Sequence, residues 1–300
     1  MAFVTVAGCT RMGTELYQSS FAARLRGTTT AERTRGPDDS VQLTSAAMPA
    51  LAFANVTTAA PDDATDDATE AVPAAPASGP CPTGMVSIED RYCIDKYEAA
   101  LVEVLPNGDE RAWPYYASPD KLESGHTVRA ISEKGVFPQG YISGKQAAAA
   151  CRASGKRLCK PAEWKLACKG PDKLQYGYGA RREPGTCNDN GRSPIGKLFA
   201  AQVANGTAYS KPQIMNAPEL NQLAGTLAET GSHEGCTNGY GVYDMVGNIH
   251  EWVDDPSGSF QGGYYLDVQQ NGEGCGYRTD AHQTWYHDYS TGFRCCADVE

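Results

Sequence analysis

The stretch 241–255, GVYDMVGNIHEWVDD, places an aspartate and a glutamate seven residues apart with a Gly-Asn turn signal between them. In a helix, positions seven apart share a face, but Gly247-Asn248 interrupts any helix at its middle. The stretch therefore reads as a loop folded around something, and a loop lined with oxygen donors suits a hard cation. His250-Glu251 is not a zinc-protease motif, because the position needing a second histidine is Asp254.

Outward from this loop, the composition narrows the function classes. The 300 residues, 41% hydrophobic, allow one large or two small globular domains. Lys and Arg number 26 against 36 Asp and Glu, a net charge of −10, and no basic stripe stands out, which argues against a nucleic-acid partner. No apolar run approaches the roughly 20 residues that span a bilayer. With 16 Tyr and 32 Gly, the chain reads as loop-heavy rather than as a helical bundle.

Cysteine carries the most information. Of eleven, Cys9 stands alone and the other ten lie between Cys81 and Cys296. Such density is unusual where thiols are kept reduced. No C-x-x-C is present and Cys295-Cys296 are adjacent, so the spacings do not suit zinc. The reading is five disulfides, hence a protein exported to a periplasm, cell envelope or extracellular space. Cys9 ends AFVTVAGC, where small residues precede it much as at a bacterial lipoprotein cleavage site. The run has no basic n-region and is short for a signal core. Two readings stand, a lipidated Cys9 and a free cysteine in a terminal tail. Any membrane association is expected only through that anchor.

Residues 1–80 are expected to form an N-terminal segment and an acidic Ala/Pro tether. PDDATDDATEAVPAAPASGP has too little apolar surface to offset its ordering entropy. The domain is placed at 81–300. MVSIEDRYCIDKYEAALVEV alternates well enough for one or two strands, with Cys81 and Cys93 near enough to staple them. In SGKQAAAACRASGKRLCK, Ser143 reads as an N-cap and Gly155 as a stop; in PAEWKLACKG, Pro161 begins a helix and Gly170 ends it. From 171 onward no long periodic segment is visible and turn residues recur.

Four stretches, RYCIDKYEA, CRASGKRLCKPAEWKLACKG, NGYGVYDMVGNIHEW and STGFRCCAD, occur in an order that resembles the formylglycine-generating enzyme, or sulfatase-modifying factor, family over residues 81–300. The resemblance implies an α+β fold with little regular secondary structure, related to C-type lectins and rich in disulfides. It implies that the loop wraps calcium, with the side chains of Asp244 and Glu251 and the carbonyls of Gly247 and Ile249 as ligands. A second calcium site of the family would begin at Asn188. The resemblance also pairs Cys151 with Cys295 and Cys168 with Cys275. For the remaining six the expectation is Cys81–Cys93, Cys159–Cys187 and Cys236–Cys296, one of fifteen pairings.

The resemblance breaks at the chemistry. The family's oxidases use two cysteines, five apart, to hold copper(I), which needs soft thiolates. In QGGYYLDVQQNGEGCGYR the first position falls at or near Asp267 and the second near Gly272. Asp267 and Glu273 are hard donors that cannot form a mixed disulfide. Copper is not expected, and neither is formylglycine generation. The preferred reading is a calcium-stabilised binding or accessory module for a surface ligand, a peptide or glycan. The alternative is an oxidoreductase with altered chemistry in a cleft around Tyr264, Tyr265, Asp267 and Glu273. Five histidines are present, His126, His233, His250, His282 and His287. His282, His287 and Asp288 suggest a two-histidine, one-carboxylate iron site only by composition, and solvated or packing roles are expected of them. Trp285, Tyr286 and Tyr289 are expected to line a ligand cleft.

Overall fold

A computed structural model describes residues 81–280 and 282–299. The expectations for 1–80, including the tether and Cys9, lie outside the described residues.

The domain begins with the hairpin β1 (Met85–Ile88) and β2 (Tyr92–Asp95), followed by β3 (Ala100–Val104), β4 (Glu110–Ala112) and β5 (Thr127–Ile131). Alternation in MVSIEDRYCIDKYEAALVEV predicts one or two strands; three form, because the turn at Glu89-Asp90 and the bend before Ala100 divide it. Helix α1 (Gly144–Ala153) starts at Ser143 with a capping box. The Ser143 hydroxyl accepts from the Gln146 amide at 3.3 Å and the Gln146 side chain accepts from the Ser143 amide at 2.9 Å, so two orphan donors are satisfied. β6 (Arg157–Leu158) leads to α2 (Pro161–Lys169), which opens on proline and closes at Gly170 in a left-handed conformation.

Beyond α2 the elements are short: α3 (Pro194–Leu198), α4 (Ala200–Ala204), α5 (Pro212–Met215), β7 (His250–Trp252), β8 (Phe260–Gln261), β9 (Arg278–Thr279), β10 (Thr291–Phe293) and β11 (Cys295–Ala297). Three small sheets form among the described residues, with orders β1-β2-β11-β6, β10-β7-β8-β9 and β4-β3-β5. The C-terminal segment ties two of them: β10 runs parallel to β7, and two residues later β11 enters between β2 and β6. Trp164 of α2 and Trp252 of β7 are fully buried.

Short elements bury little apolar surface each, and covalent links supply the remaining constraint. Cys81–Cys93, Cys151–Cys295, Cys159–Cys296, Cys168–Cys275 and Cys187–Cys236 are bonded. Two of the expected pairings are corrected. Cys159 bonds Cys296 rather than Cys187, and Cys236 bonds Cys187 rather than Cys296. The reason is the pairing of β11 with β6, which sets Cys296 opposite Arg157, one strand-end away from Cys159. Adjacent cysteines on a strand point to opposite faces, so Cys295 reaches α1 on one side and Cys296 reaches Cys159 on the other.

Candidate functional site

The 241–255 stretch is a loop that runs into β7. Asp244 and Asn248 both sit at positive φ, 57° and 50°, a conformation that costs most residues free energy and that surrounding structure must enforce. Gly247, at φ 86°, packs directly on the carbonyl of Asn188, where a Cβ would collide. The Asn248 amide donates to that same carbonyl at 2.8 Å. The loop therefore folds onto the Asn188 segment, and the two regions expected to form separate ion sites are joined.

A buried polar chain runs through the junction. Asn188 Nδ2 donates to Asn248 Oδ1 at 2.8 Å, and Asn248 Nδ2 donates to Glu98 Oε2 at 2.7 Å. Neighbouring Asp189 is held by Arg182 at 2.6 Å and by the Gly185 amide. Glu98 is fully buried, and its Oε1 has no hydrogen-bond partner. Burial, together with the charges of Asp244 and Glu251, pushes the Glu98 carboxyl well above the usual range. Asp244 accepts from the Gly231 amide at 2.6 Å, and burial raises it to about 6.

Glu251 is placed differently. Its two oxygens accept from Arg294 Nε and an Arg294 terminal nitrogen, both at 2.7 Å, and Trp164 Nε1 donates at 2.6 Å. Arg294 also donates to the carbonyls of Asp95 and Tyr243. Three buried carboxylates, Glu98, Asp244 and Glu251, thus share the field of one guanidinium. Excess buried negative charge and an orphaned carboxylate oxygen fit a hard cation near Glu98 and Asp244. Among the described residues no three His, Cys, Asp or Glu side chains converge closely enough to hold a metal alone, so an ion here would depend on backbone carbonyls. A ligand role for Glu251 would require it to release Arg294 or Trp164. Glu98 and Arg294 were not singled out by sequence; the signal for Glu98 was a carboxylate in an otherwise strand-like run, with nothing to say it turned inward.

The region facing the family's thiol positions is built for structure. Asp267 Oδ1 accepts the amides of Gln269 and Gln270 at 2.9 and 3.0 Å, and its Oδ2 accepts from the Tyr277 hydroxyl at 3.0 Å. Gly263, at φ 75°, lets the backbone close against the Asp267 carbonyl. Tyr264 and Tyr265 are buried among Tyr289 and His250. Glu273 is exposed and precedes a short 3-10 turn without a side-chain cap hydrogen bond. These groups do not converge on a cleft.

Of the histidine-containing stretch, His287 faces Asn216 Oδ1 at 2.8 Å and Asp120 Oδ2 at 3.0 Å. His282 packs on the rings of Phe260 and Tyr286, and Asp288 accepts from Ser290 and Tyr286. The three turn to different partners. Tyr289 is buried in the core and not in a cleft, because its ring joins the Tyr264–Tyr265 cluster. Trp285 and Tyr286 do line an open pocket of about 230 Å³ together with Tyr209, Met215, Asn216 and His287.

Residues 56–299 match the family described as sulfatase-modifying factor enzyme 1-like domain. The inactive C-alpha-formylglycine-generating enzyme 2 of Bos taurus is 31% identical over 125 residues, 41% of this chain and 34% of that protein. The formylglycine-generating enzyme of Mus musculus is 29% identical over 172 residues, 57% of this chain and 39% of that protein. This chain thus spans well under half the length of either relative. Among solved structures, CarF aligns with a TM-score of 0.39 at 16% identity over 70% of this chain and 87% of that one. The Major Tropism Determinant I1 variant aligns at 0.41 and 13% identity, covering 73% and 53%. The fold is that of a sulfatase-modifying factor type domain, with mixed sheets, modest helix content and five disulfides. The chain belongs to the sulfatase-modifying factor enzyme 1-like family.

Proposed function

We propose that this chain is an exported, calcium-stabilised binding or accessory module without formylglycine-generating activity. One observation carries the reading: all ten cysteines of the domain are in disulfides, which leaves no thiol pair there for copper(I). Asp267, at or near the position the resemblance gives the first thiol, spends both oxygens on a turn and on Tyr277. That occupation also weighs against altered oxidase chemistry at Tyr264, Asp267 and Glu273. The relative named inactive supports the same direction.

Calcium would be held by Asp244, Glu98 and the carbonyls of Gly247 and Ile249, with Glu251 joining only by giving up a present donor. The ion would neutralise buried charge and stiffen the loop. Five disulfides support export, and no described helix is long and apolar enough to cross a membrane. A lipid on Cys9 would tether the domain, and a kinship with C-type lectins would suit a peptide or glycan ligand.

The test is a thermal melt of chelator-treated protein with calcium or with copper(I) added under nitrogen. Calcium is expected to raise the melting temperature and copper(I) to bind without defined stoichiometry. One tightly held copper per chain would defeat the reading.

A further inference from the structure

From the pocket beside α5 we infer that this domain binds a neutral glycan, with Trp285 as the stacking platform and Ser210 and Asn216 as the groups that read its hydroxyls.

The inference rests on the binding-module reading and names its ligand class. Trp164 and Trp252 are buried, but Trp285 keeps 64% of its surface exposed at the pocket rim. An indole left in water at the mouth of a pocket, with Tyr209, Tyr286 and Met215 in the walls, offers a flat apolar face of the kind a sugar ring covers with its C–H edge. The volume of about 230 Å³ is below that of a drug-sized site and suits one ring of a larger chain that continues into solvent.

The charges decide between ligand classes. No Lys or Arg lines the pocket, and the chain carries −10, so an anionic ligand has nothing to pair with. Two carboxylates that face pocket residues are already engaged. Asp120 accepts from Gln146 at 2.7 Å and faces His287 at 3.0 Å, and Asp288 accepts from Ser290 at 2.7 Å and Tyr286 at 2.5 Å. A cation would have to displace a donor of the fold. What the pocket does offer is paired donor and acceptor capacity. Asn216 Nδ2 donates one hydrogen to the Pro212 carbonyl at 3.0 Å and has a second. Asn216 Oδ1 faces His287, and the Ser210 hydroxyl donates to Thr207 while keeping its lone pairs. Each hydroxyl of a sugar donates and accepts, so such a wall matches it. The polar groups are held by the fold, and little ordering is needed on binding.

The experiment incubates the full chain, wild type and Trp285→Ala, with an array of neutral, sulfated and uronic-acid oligosaccharides, with choline chloride and oligolysine as competitors. The expected result is saturable binding to at least one neutral glycan, weakened about tenfold or more by Trp285→Ala at an unchanged melting temperature. Binding only to acidic glycans, competition by choline or oligolysine, indifference to Trp285→Ala, or no glycan bound at all would each overturn it. The calcium-dependent melting shift is recorded on the same samples. If that shift persists without glycan binding, the ligand class fails while the calcium-stabilised domain stands.

Discussion

Glu251 and Arg294 lie 43 residues apart and meet completely buried, through two hydrogen bonds of 2.7 Å. Glu251 belongs to β7, and Arg294 is the single residue between β10 and β11. The pair, with Trp164 behind it, fastens two sheets to α2.

Removing one partner leaves the other charged and buried, which typically costs about 3–5 kcal/mol. Arg294→Met and Glu251→Gln are each expected to lower stability on that scale in urea denaturation. Arg294→Lys should rescue little, since a lysine cannot form the two-pronged contact. A loss below about 1 kcal/mol, the range of an exposed pair, would show that the bridge is not buried as described.

Peptide mapping without reductant is expected to recover Cys159 linked to Cys296 and Cys187 linked to Cys236. Replacing Cys159 and Cys296 together by alanine should cost about 2–5 kcal/mol. Fragments joining Cys159 to Cys187 would contradict the strand pairing that brings β11 against β6.

His250 predicts a specific pH dependence. Its burial, with His282 nearby, pushes the imidazole down to about 3, so below the ordinary value of 6.5 the folded chain binds fewer protons than the unfolded one. Stability from the neutral ring is full above pH 6.5 and is lost as pH falls toward 3, by up to about 1.4 kcal/mol per unit. His250→Phe fills the same aromatic surroundings of Phe260, Tyr264 and Tyr277 without a titrating group. Denaturant midpoints measured between pH 4 and 7 should therefore diverge, the variant holding its stability better toward acid. Parallel profiles would refute the assignment.

Asp267 is expected to matter for stability rather than for any chemistry. Asp267→Ala leaves two amides and the Tyr277 hydroxyl without their acceptor, at a cost of about 1–3 kcal/mol. Asp267→Cys should be destabilised likewise and gain no oxidase activity, because no second thiol stands near Gly272. A gain of activity on that single change would place the missing chemistry here after all.

Local chemistry was legible in the sequence where it is decided within a few residues. Ser143, Pro161 and Gly170 marked the ends of the two longer helices, since caps and breakers act over one turn. The Gly247-Asn248 turn was readable for the same reason. What could not be read depends on contacts between distant segments. The partner of Cys159 follows from which face of β11 it meets, and the ties between Glu251 and Arg294, and between Asn188, Asn248 and Glu98, span 43, 60 and 150 residues. The resemblance puts Asp267 at or near a thiol position, and nothing in the sequence marks it as a turn acceptor. The burial of Tyr289 is not legible in the sequence, because an aromatic in a loop-like run carries no mark of whether its ring points inward.

The central claim is that this scaffold lacks the thiols for aldehyde formation, and incubating the chain with a cysteine-containing peptide, copper and oxygen tests it most directly. Mass spectrometry is expected to return the peptide with its cysteine intact. Conversion of that cysteine to formylglycine, dependent on this chain, would contradict the account.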